Sequence, residues 1–305
     1  MNEIDIIINQ FVLDGGKLYT LPKLYQQLEQ KIYSSTASID EFAKILRTDG
    51  ALSAKLLKLA NSALYGFRSE ISTLNQALTL IGLKEVQSLI LMDSISRHIN
   101  QNNCCSSVEM ESFWLRSIHF GLIAKRLAKK LKHPEADHLF ISGLMSRLGQ
   151  LVCCYSHSKK VLDVLHEHIN SPNVKEYCIE KKYFNFTYNE ISATLLEHWQ
   201  IPNKIIFAIR YLHQPDNIDE EGFYKDAMIL NVANSYSGIL ELDSLQLSDS
   251  KMLNIPDSTA ANTYIKHVEP EINQALSINE SIVEDILFEI EMDSLQMLAI
   301  LLPKI

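Results

Sequence analysis

Between Asp49 and Gly82 the chain writes two helices, each with its own start and stop signal. Leu52, Leu56, Leu59, Ala60 and Ala63 recur at i, i+4, i+7, i+8 and i+11, the spacing of a single helix face. Asp49 stands where an N-cap carboxylate accepts from the free first-turn amides. Gly66 is the expected stop. After Phe67 to Glu70, Thr73 and Gln76 form a capping box, and Leu74, Ala77, Leu78 and Ile81 supply the second apolar face up to Gly82. Two helices with so little polar surface between them must pack against further helices.

The rest of the chain supplies those helices. Ile4 to Leu13 reads as a short apolar helix or strand. Pro22 fits the first turn of a helix carrying Leu24, Leu28 and Ile32. Ser38 and Glu41 form another capping box ahead of Phe42, Ile45 and Leu46. A helix from Leu83 to about Ile99 closes the first hundred residues. Asn100 to Val108 is polar and reads as a loop. Helices are then expected from Glu109 to Leu131, from Pro134 through Leu151, around Val161 to Leu165, from Ile191 to Trp199, from Pro202 onward, and from Ala227 to Leu240. Ser171-Pro172-Asn173 and Gln214 to Glu220 read as breaks. Ala260 to Leu276 and Glu280 to Leu302 close the chain. The last has an apolar face of Ile282, Ile286, Leu287, Ile290, Leu295, Leu298 and Leu302, suited to docking on its own domain or on a second subunit. No alternating strand pattern of useful length occurs. The predicted class is all-α, a multi-helix bundle divided into an N-terminal layer (1–100), a helical core (101–240) and a C-terminal extension (241–305).

Charge bounds the partners. The chain has 28 Lys and Arg against 37 Asp and Glu, a net charge of −9. Nucleic acid and anionic membranes recruit basic surfaces, so neither is expected as the main partner. The five cysteines (Cys104, Cys105, Cys153, Cys154 and Cys178) include two vicinal pairs and no Cys-x-x-Cys, which fits reduced thiols. No apolar stretch approaches the ~18–20 residues of a membrane span, and the N-terminus has no signal-peptide pattern. A cytoplasmic protein is expected. No phosphate-binding glycine loop, nucleophile elbow or His-Asp dipeptide occurs.

The run Leu-Ala-Asn-Ser-Ala-Leu-Tyr-Gly (Leu59 to Gly66), followed by Ile71-Ser72, Gln76-Ala77 and Ile81-Gly82-Leu83, resembles the HDOD domain. This is a bacterial all-helical module related to the HD-domain metal-dependent phosphohydrolases. The resemblance covers roughly residues 18–217, with weaker support to 240. It implies an HD-like bundle and assigns positions to the HD metal set. Those positions carry Arg116, Ser146-Arg147 in place of His-Asp, Asn189, Leu212-His213 and Asn234. A guanidinium is permanently charged and has no lone pair to offer a cation, so no catalytic residue, metal or cofactor is expected here. HDOD domains are regarded as signalling modules, and the resemblance implies a regulator acting by protein–protein contact.

Two readings of the converted site follow. Arg116, Ser146, Arg147, Asn189, His213 and Asn234 line one cleft and form an anion pocket for a phosphate-containing small ligand. Otherwise each arginine pairs with a nearby carboxylate, for which Glu111, Asp137 and Glu190 are candidates, and the cleft is filled. Other histidines offer no better metal set: His166 and His168 lie on different helix faces, and His133 and His138 are five apart across Pro134. Asn61, Ser62, Tyr65 and Arg68 form either a structural cap or an interaction surface for a protein partner. Two alternative functions stay open, a residual phosphohydrolase acting on a nucleotide or phosphoester and a transcriptional regulator. A homodimer is compatible with all of these.

Overall fold

The computed structural model describes residue 6 and the segments 23–32, 38–62, 65–67, 69–83, 85–87, 89–93, 107–134, 136–171, 174–218, 221–246 and 264–301. Among the described residues the regular structure is helical, with no strand. Of Ile4 to Leu13 only Ile6 falls within them, and the 100–108 loop is described only from Ser107. The chain divides into two compact units, Met1–Tyr19 with Cys104–Glu291, and Thr20–Asn103 with Met292–Ile305.

The smaller unit is built from α1 (Lys23–Ile32), α2 (Ile39–Leu46), α3 (Gly50–Ala60) and α4 (Leu74–Ile81), with residues 85–87 and 89–93 again helical. Its starts follow the sequence. The Ser38 hydroxyl accepts from Glu41 N–H and the Glu41 carboxylate accepts from Ser38 N–H. Asp49 Oδ1 accepts from Leu52 N–H at 2.9 Å. Thr73 and Gln76 close the second capping box, and Gly82 ends α4 at φ +95°. The predicted faces bury Phe42, Leu46, Leu52, Leu56, Leu59, Leu74, Leu78 and Ile81, each stabilising the unit by roughly 1.5–3 kcal/mol.

One stop differs. The chain leaves α3 at Ala60 rather than at Gly66. Asn61 ends the helix by itself: its amide donates to Leu57 O (2.9 Å) and Ile71 O (2.7 Å), and its Oδ1 accepts from Ile71 N–H (2.7 Å). A side chain so used fastens both ends of the following loop, and Gly66 serves inside that loop at φ +55°.

The larger unit starts with α5 (Ser107–Lys130) and α6 (Ala136–Met145). These two approach so closely that a Cβ on Gly143 would lie 2.8 Å from Gly121 Cα. The predicted helix through Leu151 is broken after Met145, and α7 (Leu148–Asn170) begins afresh. The break is held by α9 (Tyr188–His198): the Ser192 hydroxyl accepts from Gly149 N–H and donates to Ser146 O, both at 2.7 Å. Two backbone groups orphaned by the break therefore have partners. Helix α7 is itself broken at His157 (φ −143°, ψ 47°). The second half returns toward the first, so that His168 feels the charge of Arg147. On a straight helix those residues would be about 30 Å apart.

Helix α8 (Glu176–Phe184) was not expected from the sequence. Its N-cap, Lys175, makes no side-chain cap bond, and its apolar pattern is weak. The readable signal was charge: Glu176 in the first turn and Lys181 and Lys182 in the last, each complementing the helix dipole. Helices α9, α10 (Asn203–Arg210) and α11 (Glu221–Gln246) complete the core, followed by α12 (Pro270–Ala275) and α13 (Glu280–Leu301). Within this unit α13 lies on α5, burying Val283, Ile286 and Ile290 and pairing Asp285 with Lys130 and Glu289 with Arg126. Of its predicted apolar face, Leu295 is exposed and Leu302 lies outside the described residues.

At Gly149 the close approach admits no side chain. A Cβ there would overlap the Tyr188 carbonyl oxygen and lie 2.9 Å from Ile191 Cβ. Gly149→Ala is expected to lower stability by about 2–3 kcal/mol, read as a fall in the urea midpoint. An unchanged midpoint would show that α7 and α9 separate freely.

Candidate functional site

Four charged side chains from four elements meet in the larger unit. Arg116 comes from the middle of α5, and Arg147 from the turn between α6 and α7. Glu176 opens α8, and Glu241 stands near the end of α11. Glu176 receives both arginines. Its Oε1 accepts from Arg116 Nη1 (3.2 Å) and Arg147 Nη2 (3.1 Å), and its Oε2 accepts from Arg147 Nη1 (3.2 Å) and from Arg116 Nη2. Arg116 also pairs with Glu241, and Arg147 Nη2 donates to Gln150 Oε1 at 2.6 Å. Helix α11 passes close to the guanidinium at Gly238, where a Cβ would lie 3.2 Å from Arg116 Nη2.

The arginines are almost wholly buried, with side chains 2% and 5% exposed; Glu176 is 11% exposed. Burial alone would raise the Glu176 carboxyl, but Arg116 and Arg147 outweigh it and hold it well below the ordinary carboxylate range. Burial would likewise loosen the Arg116 proton, and Glu176 and Glu241 outweigh that too. The result is a largely buried set of bidentate charge-assisted bonds.

Around it lie groups held neutral. Burial lowers His168, and neither of its ring nitrogens has a hydrogen-bond partner. Arg116 Nε and Arg147 Nε are also buried without partners. Glu180, one turn beyond Glu176, is pushed from 4.5 to about 8, first by burial and then by Glu176. Its Oε2 accepts from Tyr188 N–H at 2.7 Å and so caps α9. His213 stacks on Tyr177 with centroids 4.4 Å apart and is kept neutral by burial.

Of the six residues expected in one cleft, Arg116 and Arg147 are brought together, and His213 lies close enough to feel Glu176. The other three have other uses. Ser146 donates to Ser142 O, and the Asn189 amide caps α10 through Ile209 O and Arg210 O. Half-buried Asn234 accepts from the Ser237 hydroxyl through its carbonyl. The expected carboxylate partners are replaced. Glu111 is exposed, Glu190 closes a capping box with Thr187, and the Asp137 side chain lies outside the described residues. Glu176 and Glu241 take their place, 60 and 125 residues from Arg116.

At the expected interaction surface, Asn61 is spent on Leu57 and Ile71, Ser62 is buried, and the Tyr65 hydroxyl donates to buried Glu85 at 2.7 Å. Arg68 lies outside the described residues. His133 and His138, set apart by their spacing, both face the Asp226 carboxylate, at 3.0 and 2.7 Å, and tie the end of α5 and the start of α6 to α11.

The donor set does not fit a metal ion. Its two guanidiniums have no lone pair for a cation, and among the described residues no group of three His, Cys, Asp or Glu is arranged to hold one. No described helix is long and apolar enough to cross a membrane.

The all-helical fold has a family. The HDOD domain pattern matches residues 18–215, and the chain belongs to the HDOD family. A Treponema pallidum (strain Nichols) protein described as uncharacterized is 25% identical over 203 residues, 66% of this chain and 38% of that protein. The chain thus spans well under half of that relative's length. Among solved structures, an HDOD domain protein of unknown function from Geobacter sulfurreducens aligns over 97% of this chain and 96% of its own (TM-score 0.69, 18% identity). A Shewanella amazonensis SB2B protein provisionally named a phosphohydrolase aligns over 97% and 98% (TM-score 0.69, 19% identity). A Marinobacter aquaeolei VT8 protein provisionally named a signal-transduction protein aligns over 92% and 58% (TM-score 0.64, 17% identity). At such identities the likeness is one of fold.

Two outcomes follow from this geometry. Asn61→Ala removes three backbone-directed bonds and is expected to cost about 1–3 kcal/mol, measured by chemical denaturation; a loss within error would leave the loop held by other contacts. Glu180 has a raised folded-state value, so its contribution is full below pH 4.5 and is lost as pH rises through about 8. Glu176, held low, contributes above its ordinary value and loses that contribution on acidification. In Glu180→Gln the cap acceptor is kept and the titration removed. The stability of this variant relative to wild type should rise between pH 5 and pH 8; parallel pH curves would show that Glu180 is ionised throughout.

Proposed function

We propose that this chain is a bacterial, cytoplasmic regulatory protein that works through contact with a protein partner, its HD-type hydrolase site having been converted into internal structure. One observation carries the reading: Arg116 and Arg147, which the resemblance sets at metal-ligand positions, are neutralised within the chain by Glu176 and Glu241. A hydrolase of this class needs a cation to polarise a phosphoryl oxygen and activate water. Here the same volume holds two fixed positive charges, which repel a cation, and two carboxylates already committed to them. These four side chains instead join α5, the α6–α7 turn, α8 and α11.

The test uses the whole chain, purified in the presence of manganese and zinc. Elemental analysis is expected to give metal far below one ion per chain, and bis(p-nitrophenyl) phosphate should not be hydrolysed. Affinity purification from the native cell should retain a protein partner that the heat-denatured chain does not. Stoichiometric metal together with hydrolysis that ceases on chelation would replace this reading with that of an altered phosphohydrolase.

A further inference from the structure

We infer that the Arg116–Arg147 centre is an anion site closed by the protein's own Glu176, and that a phosphate-bearing small molecule opens it by taking that carboxylate's place. The inference rests on the non-catalytic reading above and adds a ligand to it.

Glu176 leaves part of both guanidiniums unmet. Two guanidiniums present ten N–H donors and two positive charges to one region. Glu176 answers with two oxygens and one negative charge, and Glu241 reaches Arg116 alone. Arg116 Nε and Arg147 Nε stay buried and unpartnered. So do both nitrogens of His168, which is 7% exposed and close enough to feel Glu176 and both arginines. Unpartnered donors at this depth are costly, about 1–3 kcal/mol each. Glu176, together with Glu241 on Arg116 and Gln150 on Arg147, leaves both Nε groups and His168 unmet. A phosphate group offers more oxygens and up to two charges, matching two arginines and a neighbouring imidazole.

The plug is also attached in a way that lets it leave. Glu176 is the first residue of α8, and the N-cap before it, Lys175, makes no side-chain cap bond. Cys178, Lys181 and Lys182 of the same helix are exposed, while Ile179, Glu180 and Phe184 hold it to the core. Rotation of one side chain, or fraying of the first turn, uncovers the arginines without unfolding the unit. The same movement takes away the neighbouring charge that, after burial, helps to keep Glu180 neutral. Ligand binding is thereby coupled to the start of α8 and, through the Glu180 cap, to the start of α9.

Inorganic phosphate and pyrophosphate are the probes, with chloride at matched ionic strength as control. In the wild-type chain phosphate should raise the melting temperature and increase amide exchange at residues 174–184. Glu176→Gln, which removes the competing charge, should bind about tenfold tighter by titration calorimetry, and Arg147→Gln should abolish the effect. A wild-type chain showing neither response overturns the inference whether or not the variants fold, and so does a folded Glu176→Gln chain that binds phosphate no better than wild type. Either result, with turnover and metal still absent, leaves the regulatory reading in place; hydrolysis with bound metal would remove that reading instead.

Discussion

The larger unit depends on one carboxylate shared between two arginines. Glu176 is where α5, the α6–α7 turn and α8 meet, and Arg116 extends the network to α11 through Glu241. Such networks contribute little net stability, because desolvating each charge offsets most of the attraction between them. Their force lies in the asymmetry. Removing one partner strands a buried charge, which costs about 3–5 kcal/mol. The four elements are thus held in register by the penalty for leaving it, and the local pKa values follow. Glu176 remains ionised because of the arginines, and its charge joins burial in keeping Glu180 protonated.

What could be read in the sequence was what is local. The capping boxes at Ser38 and Thr73, the Asp49 cap and the Gly82 stop are set by residues three or four apart, and the structure has each of them. Arg116 and Arg147 could be placed because a family pattern assigns their positions. Their partners could not. Glu176 and Glu241 lie 60 and 125 residues from Arg116, and nothing in a one-dimensional pattern chooses among 37 acidic residues. The helix that delivers Glu176 was missed for a related reason. It has no capping side chain and only a weak apolar stripe, so tertiary packing rather than propensity forms it. The turn at Ser146-Arg147 is likewise imposed from outside, by Ser192 and the Gly149 contact with α9.

The most recognisable string in the chain also takes on a different meaning. Asn61 and Tyr65 resemble polar tips awaiting a partner. In the structure Asn61 pairs with both backbone groups of Ile71, as a neighbouring strand would, and Tyr65 ties the loop to Glu85. Alanine could fill the helix position but could not bridge to Ile71, and a longer amide would overshoot it. The string is specific because one side chain must end a helix and close a ten-residue loop together, a requirement of backbone geometry. A surface for partners on this unit would therefore be formed by what the loop presents once closed, rather than by the side chains that close it.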